Sequence, residues 1–313
     1  MKPAAFDYHA PATLDEALAD LAMAGGDGKV LAGGQSLVPL LNMRLAAPRH
    51  LIDINRLAAL AYVRRAAGGG SEVEVGALAR HAEVARSRDA VALMRQATAC
   101  VAHPAIRNRG TTVGSLVHAD PAAEMPAVLA LLGGTVELAS AGGGRRAVAA
   151  AEFFLGPLES AVRPGELAVA ARFPAPPPRT GSAWLELSRR QGDYAVAGAG
   201  VLVMLDADLR VVRARAGLVS VGPTPVVVDL TDAVAGQPSG TADWAAAGAL
   251  ASGASEPEDD IHATAAYRRH LVGVLVARAA AHAAAGASRA TTAEDAGTAA
   301  GAGTAHRAPG GPA

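Results

Sequence analysis

Two glycine-bearing segments, about eighty positions apart, carry the strongest signal in this chain: Val30-Leu31-Ala32-Gly33-Gly34-Gln35-Ser36-Leu37 and Arg109-Gly110-Thr111-Thr112-Val113-Gly114-Ser115-Leu116. In each, a short apolar run leads into a turn rich in glycine and in hydroxyl or amide side chains. Such a turn exposes backbone N–H groups, and residues without a bulky Cβ let an anion approach them closely. Two turns of this kind could hold a diphosphate and the two halves of a dinucleotide, which makes a dinucleotide cofactor the first hypothesis.

Neither segment matches the common nucleotide-binding fingerprints. The nearest candidate for G-x-G-x-x-G is Gly198-Ala199-Gly200, which continues into Val201 without a third glycine. The Gly28-Lys29 pair is followed by Val30, so the phosphate loop that ends in Gly-Lys-Ser/Thr is missing as well. Taken singly, each glycine turn also fits an ordinary strand-to-helix or hairpin connection.

Composition narrows the class of protein. The chain has 313 residues, enough for two or three compact units, and 28 basic against 29 acidic residues with no basic stripe, which argues against a nucleic-acid partner. No apolar stretch approaches the roughly 20 residues of a bilayer span and the N-terminus has no signal-peptide pattern, so we expect a cytoplasmic protein without a membrane span.

Cys100 is the only cysteine, which excludes a disulfide framework and an iron–sulfur site on this chain. No clustered metal-ligand pattern is present, and Cys100 is expected to be a buried, inert thiol.

The first half of the chain reads as two mixed units. Thr13 is a predicted N-cap for a helix that ends at about residue 23. A strand at 30–32, a helix at 36–44 and a strand at 51–54 are predicted to form a β-α-β layer, in which the N-terminus of the helix faces the first glycine turn. Further on, the pattern predicts strands at 61–65 and 72–75 joined through Gly68-Gly69-Gly70, helices at 80–85, 89–101 and 122–132, and strands at 136–138 and 167–173.

A proline-rich hinge, Pro174-Ala175-Pro176-Pro177-Pro178, predicts a domain boundary because proline stiffens the chain and removes ladder donors. Beyond it we predict strands at 183–187, 195–205 and 211–219 and helices at 243–250 and 265–285. From Gly286 the composition predicts a disordered tail, 286–313. The predicted fold class is α+β: a first domain over 1–175, with subdomains of about 1–56 and 57–175, and a second over 179–285 with a three-stranded antiparallel sheet and helices.

Three segments carry a family resemblance. Residues 32–37, Pro48 and Leu51-Ile52-Asp53-Ile54 resemble the first FAD-binding segment of the molybdenum hydroxylase flavoprotein subunits, most closely the medium subunit of aerobic carbon monoxide dehydrogenase and the FAD subunit of xanthine dehydrogenase. Residues 109–124 resemble the second segment, and residues 189–195 resemble the Arg-Gly-Asp-Tyr region at the start of the family's C-terminal domain. The resemblance is collinear from about Phe6 to about Ala285. Val113 departs from it, because the family often has the first of two adjacent glycines there.

The resemblance implies a PCMH-type FAD-binding domain of two subdomains and an electron-transfer function without a catalytic acid or nucleophile. In such a complex, electrons pass from a molybdenum-cofactor large subunit through [2Fe–2S] clusters on a small subunit to FAD and then to an external acceptor. The implied assembly is a dimer of heterotrimers. Two alternatives are a self-contained FAD-dependent reductase or oxidase and a nucleotide-binding regulatory module.

The FAD-binding residues that the resemblance implies are Val30, Leu31, Ala32, Gly33, Gly34, Gln35, Ser36, Leu37, Thr111, Val113, Gly114, Ser115, Glu124, Ala168 and Tyr194. The hydroxyls of Ser36, Thr111 and Ser115 are expected to supplement backbone N–H groups on the pyrophosphate. Glu124 is either a ribose contact or an exposed carboxylate at a helix start. Tyr194 either packs on the isoalloxazine ring or is a core residue at a strand start. His118 is expected to be structural, with Asp120 capping the helix that begins near Ala122.

Overall fold

The computed structural model describes residues 2–66 and 71–302, with side chains through residue 290. The first unit is a small parallel sheet, and it confirms the predicted β-α-β layer. Its elements are β1 (Asp7–His9), α1 (Leu14–Ala24), β2 (Gly28–Leu31), α2 (Leu37–Met43) and β3 (His50–Asp53), with strand order β1-β3-β2. Thr13 caps α1 through a capping box with Glu16, as predicted.

The second unit is a five-stranded antiparallel sheet covered by short helices. Its elements are β4 (Val63–Arg65), β5 (Glu72–Gly76), α3 (His81–Arg86), α4 (Ala92–Cys100), α5 (Pro104–Arg107), α6 (Thr112–His118), α7 (Glu124–Leu132), β6 (Thr135–Ser140), β7 (Arg145–Ala149), α8 (Ala150–Phe153), the paired β8 (Phe154–Gly156) and β9 (Glu159–Ser160), and β10 (Glu166–Pro174). The sheet order is β4-β5-β10-β6-β7. Strands β4 and β5 pair antiparallel as predicted, and the Gly68-Gly69-Gly70 turn lies outside the described residues.

The third unit follows the proline-rich segment and contains four strands. Its elements are β11 (Thr180–Ser188), β12 (Ala195–Leu205), β13 (Val211–Val219), β14 (Val226–Asp229), α9 (Thr231–Val234), α10 (Trp244–Gly253) and α11 (Ala265–Ala302). The prediction of three strands is wrong by one, because β14 is a short edge strand that follows a Gly-Pro-Thr-Pro turn and lacks a long periodic pattern.

The long helix α11 corrects two further expectations. It continues to Ala302, so the predicted helix end at residue 285 is wrong; residues 303–313 of the predicted tail lie outside the described residues. Within it, Ala265–Ala290 is long and apolar enough to cross a membrane by length and composition, so the prediction that no apolar stretch approaches that length is wrong. One face of this segment, including Val272, Val276 and Ala283, is buried in the core of the third unit together with residues of β12 and β13. Core packing accounts for that apolar face.

Candidate cofactor-binding site

One cavity of about 480 Å³ lies where the three units meet. Fourteen of the fifteen predicted FAD-binding residues line it, drawn from the end of β2, the start of α6, β10 and the segment before β12; Leu31 is the exception. Further lining residues, which were not predicted to bind the cofactor, are Lys29, His81, Ile106, Asp120, Leu158, Glu166 and Asp193, among others. The fold therefore brings residues from Lys29 to Tyr194 together around a single cavity.

The first glycine segment turns sharply between β2 and α2. Gly34 has φ +74°, a left-handed conformation that glycine adopts without strain. The Gln35 side chain donates a 2.9 Å hydrogen bond to the Gly33 carbonyl, which stabilises the turn. Ser36 lies at the N-terminus of α2 and lines the cavity, and its hydroxyl makes no capping bond within the helix.

The second glycine segment is itself a helix start, which the sequence analysis did not predict. Thr111 is extended and is the N-cap of α6; its Oγ1 accepts a 3.1 Å hydrogen bond from the backbone N–H of Gly114. The Thr111 oxygen is therefore a capping acceptor, which leaves its O–H as the group that could donate to a phosphate, and Thr111 is only 3% exposed. Val113 lies in the first turn of α6 and packs into the core at 2% exposure, so its backbone does not require glycine.

The two segments touch each other through their backbones. A Cβ atom on Gly33 would collide with the carbonyl oxygen of Arg109 and lie 2.7 Å from the Cα of Gly110. Gly33 is thus required for the contact between the segments, a reason that the sequence did not disclose. This close pairing of two glycine turns beside a cavity of this volume fits a dinucleotide.

Glu124, the first residue of α7, is buried at the cavity wall. It is 8% exposed, so the alternative of an exposed carboxylate is wrong. Burial, followed by the charge of Glu186, raises the pKa of Glu124 to about 8. At neutral pH the group is therefore mainly a carboxylic acid, which can donate one hydrogen bond as well as accept.

The remaining predicted residues have different surroundings. Tyr194 is 69% exposed and lines the cavity, so the core-residue alternative is wrong. Asp120 accepts a 2.8 Å bond from the Ala122 N–H, but it closes a turn and does not cap α7, whose N-cap is Ala123.

Burial raises the pKa of Cys100 to about 12, consistent with an inert thiol. Burial also lowers the pKa of His81, which lines the cavity, to about 4, so that this ring is neutral.

Comparison with known protein families agrees with this geometry. The family described as the FAD binding domain in molybdopterin dehydrogenase matches residues 4–176, and the CO dehydrogenase flavoprotein C-terminal domain matches residues 182–283. The chain therefore belongs to the FAD-binding subunits of the molybdopterin dehydrogenases, and FAD is its cofactor.

Individual relatives align over nearly their whole length. The chain is 39% identical to the 6-hydroxypseudooxynicotine dehydrogenase complex subunit alpha of Paenarthrobacter nicotinovorans, over 90% of this chain and 96% of the relative. It is 37% identical to the carbon monoxide dehydrogenase medium chain of Afipia carboxidovorans, over 92% and 99%. A solved structure of the carbon monoxide dehydrogenase from Hydrogenophaga pseudoflava superposes with a TM-score of 0.84 at 35% identity, over 91% of this chain and 99% of that one.

Bound FAD supplies an isoalloxazine ring that accepts and releases electrons. The protein's contribution is binding and orientation. The residues that would hold FAD are those on the cavity wall, including the turn at Gly34, the start of α6, the buried Glu124 and the exposed Tyr194.

Proposed function

We propose that this chain is the electron-transfer subunit of a molybdenum hydroxylase complex. In this proposal electrons from a molybdenum-cofactor large subunit pass through [2Fe–2S] clusters on a small subunit to the FAD held by this chain, and then to an external acceptor. The proposed assembly is a cytoplasmic dimer of heterotrimers. The relatives named above as a medium chain and as a subunit of a dehydrogenase complex support an assembly of several chains.

The observation that carries this proposal is the placement of the cofactor cavity relative to the rest of the chain. Tyr194, an aromatic residue that is 69% exposed, lies on the wall of this cavity. The chain's one cysteine is half-buried with a raised pKa, and an iron–sulfur cluster needs several thiolates. Clusters that deliver electrons to FAD must therefore come from another polypeptide, and in this proposal it docks on the side of the cavity where Tyr194 is exposed.

The test uses the full chain and the complex that co-purifies with it. Visible absorption identifies bound flavin, and electron transfer is followed as flavin bleaching on addition of a reduced donor. We expect the chain alone to bind FAD but to show no turnover with purines, aldehydes or carbon monoxide, and the complex with a cluster-containing and a molybdenum-containing partner to turn over its own substrate.

Two outcomes would overturn the proposal. Robust donor-dependent turnover by the isolated, cluster-free chain would favour the self-contained reductase or oxidase. A colourless chain that retains an adenine nucleotide in every preparation, the complex included, would favour the regulatory nucleotide-binding module.

A further inference from the structure

The two glycine segments are joined by a short relay of side chains that does not line the cavity. Asn55 donates from Nδ2 to the carbonyl oxygen of Ala32, at 2.8 Å, just before the first glycine pair. Arg80 donates from Nη1 to the carbonyl oxygen of Arg109, at 2.7 Å, just before the second. Between them, Arg80 Nη2 donates to Asn55 Oδ1 at 2.7 Å. Three hydrogen bonds in series thus connect the backbones of both segments.

Each end of this relay is held in place by its neighbours. The Asn55 N–H groups also donate to Asp53 Oδ1, at 2.9 Å from the backbone and 2.6 Å from the side chain, and Asp53 Oδ2 accepts from the Tyr8 hydroxyl at 2.6 Å. These contacts fix the amide orientation, since its oxygen faces a guanidinium and its nitrogen faces two oxygens.

Arg80 is held by the strand-like pairing of its own segment with the second glycine segment. The His81 N–H donates to the Gly110 carbonyl at 3.0 Å, and the Thr112 N–H donates to the Ala79 carbonyl at 3.1 Å. The Arg80 backbone N–H donates to Glu83 Oε2 at 2.8 Å. A planar guanidinium presents two donors at a fixed separation, so Arg80 can bond two acceptors at once in a way that lysine cannot reproduce.

We propose that Asn55 and Arg80 are positioning residues for FAD, which set the spacing between the two segments that hold the pyrophosphate. Asn55 follows β3 of the first unit and Arg80 precedes α3 of the second, so the relay crosses between two sheets. The backbone contact at Gly33 prevents the segments from coming closer, and the relay prevents them from separating. A pyrophosphate bound by both segments depends on that spacing.

The test is a double-mutant cycle of Asn55→Ala and Arg80→Ala, with FAD dissociation constants and apo-protein melting temperatures measured on the full chain and on its complex. We expect each single substitution to weaken FAD binding roughly tenfold to a hundredfold. The double variant should be little worse than either single one, because both act through one relay. Arg80→Lys should recover only part of the affinity, and the near-ultraviolet and visible circular dichroism of the residual bound flavin should change.

A control separates positioning from general stabilisation. Arg210 donates to the Gly236 carbonyl at 2.7 Å in the third unit, away from the cavity, so Arg210→Ala should leave the FAD dissociation constant unchanged. The proposal is wrong if the relay variants melt at lower temperature but bind FAD with native affinity, or if their effects on affinity simply add. Should Arg80→Ala fail to fold, Arg80→Lys and Asn55→Ala provide the same comparison.

Discussion

In the first glycine segment the chain reverses at Gly34, whose φ is +74°, and Gly33 lies against the backbone of the second segment. In the second segment the chain runs from an extended Thr111 into α6, and no residue at 110–118 has a positive φ. The first segment therefore needs glycine for backbone conformation and close approach, whereas Val113 is accommodated in the second as a helical core residue. The two segments have similar sequences and both line the cavity, but the first does so through a left-handed glycine turn and the second through the start of a helix.

The largest effect is expected from Gly33→Ala, which tests the contact between the segments. The added Cβ would meet the Arg109 carbonyl and the Gly110 Cα, both backbone atoms that cannot rotate away. We expect no FAD to remain bound after gel filtration, as measured by the flavin absorbance per chain. Gly26→Ala is the matched control, because a Cβ there would have no atom within 4 Å and should leave the flavin content unchanged. Native flavin content in Gly33→Ala would contradict the paired-turn description.

Glu124→Gln tests the buried acid that follows the second segment and has no counterpart in the first. The folded-state pKa of about 8 lies above the ordinary glutamate pKa of 4.5, so the folded state holds the proton more tightly than the unfolded state. Wild-type stability should therefore fall as pH rises from about 4.5 to about 8 and stay lower above it, by about 5 kcal/mol at most. Glu124→Gln should remove most of this dependence in urea unfolding of the apo protein.

The same variant addresses the contact with the cofactor. If the acid bonds the ribose of FAD, replacing it by an amide should weaken FAD binding about fivefold at pH 6, which fluorescence titration can measure. Glu152→Gln, an exposed glutamate in α8, is the control for both measurements. Unchanged affinity would leave Glu124 with a structural role only, and an unchanged pH profile would contradict its raised pKa.

Val113→Gly restores the glycine that the family often has, and it tests whether the second glycine segment needs glycine at this position as the first segment does at Gly34. Removing a core side chain and adding a glycine inside α6 should lower the free energy of unfolding by about 3 kcal/mol. FAD affinity should change by less than about threefold, because the backbone at this position is already helical. Urea unfolding and flavin titration on the same preparation check both values. A large gain in FAD affinity would show that Val113 impairs the second segment.

The smallest effect is expected from Tyr194→Ala, because Tyr194 belongs to neither glycine segment. Loss of stacking should weaken FAD binding only about two- to tenfold, shift the flavin absorption bands and alter the rate of flavin reoxidation. Tyr267→Ala, an exposed tyrosine in α11, should do none of these. An unchanged flavin spectrum in Tyr194→Ala would remove this residue from the site.

Several elements of the fold were predictable because their signals are local. Thr13 and Glu16 form the capping box in place, and the strands of the first layer follow from apolar runs bounded by turns. The helix α6 and the strand β14 were not predicted, because glycine and proline inside short segments mask periodicity. The extension of α11 to Ala302 was missed since composition predicted disorder in an alanine-rich, glycine-containing stretch.

By itself the sequence determined the family, the cofactor and fourteen of the residues around the cavity, because glycine turns and their flanking residues form recognisable local motifs. Only the tertiary structure decided how those residues act. It showed that Gly33 serves the contact between two segments, that Thr111 caps a helix, and that Glu124 is buried with a raised pKa. Asn55 and Arg80, which are 25 residues apart, have no sequence signal in common, since a hydrogen bond between two sheets depends on packing and not on spacing.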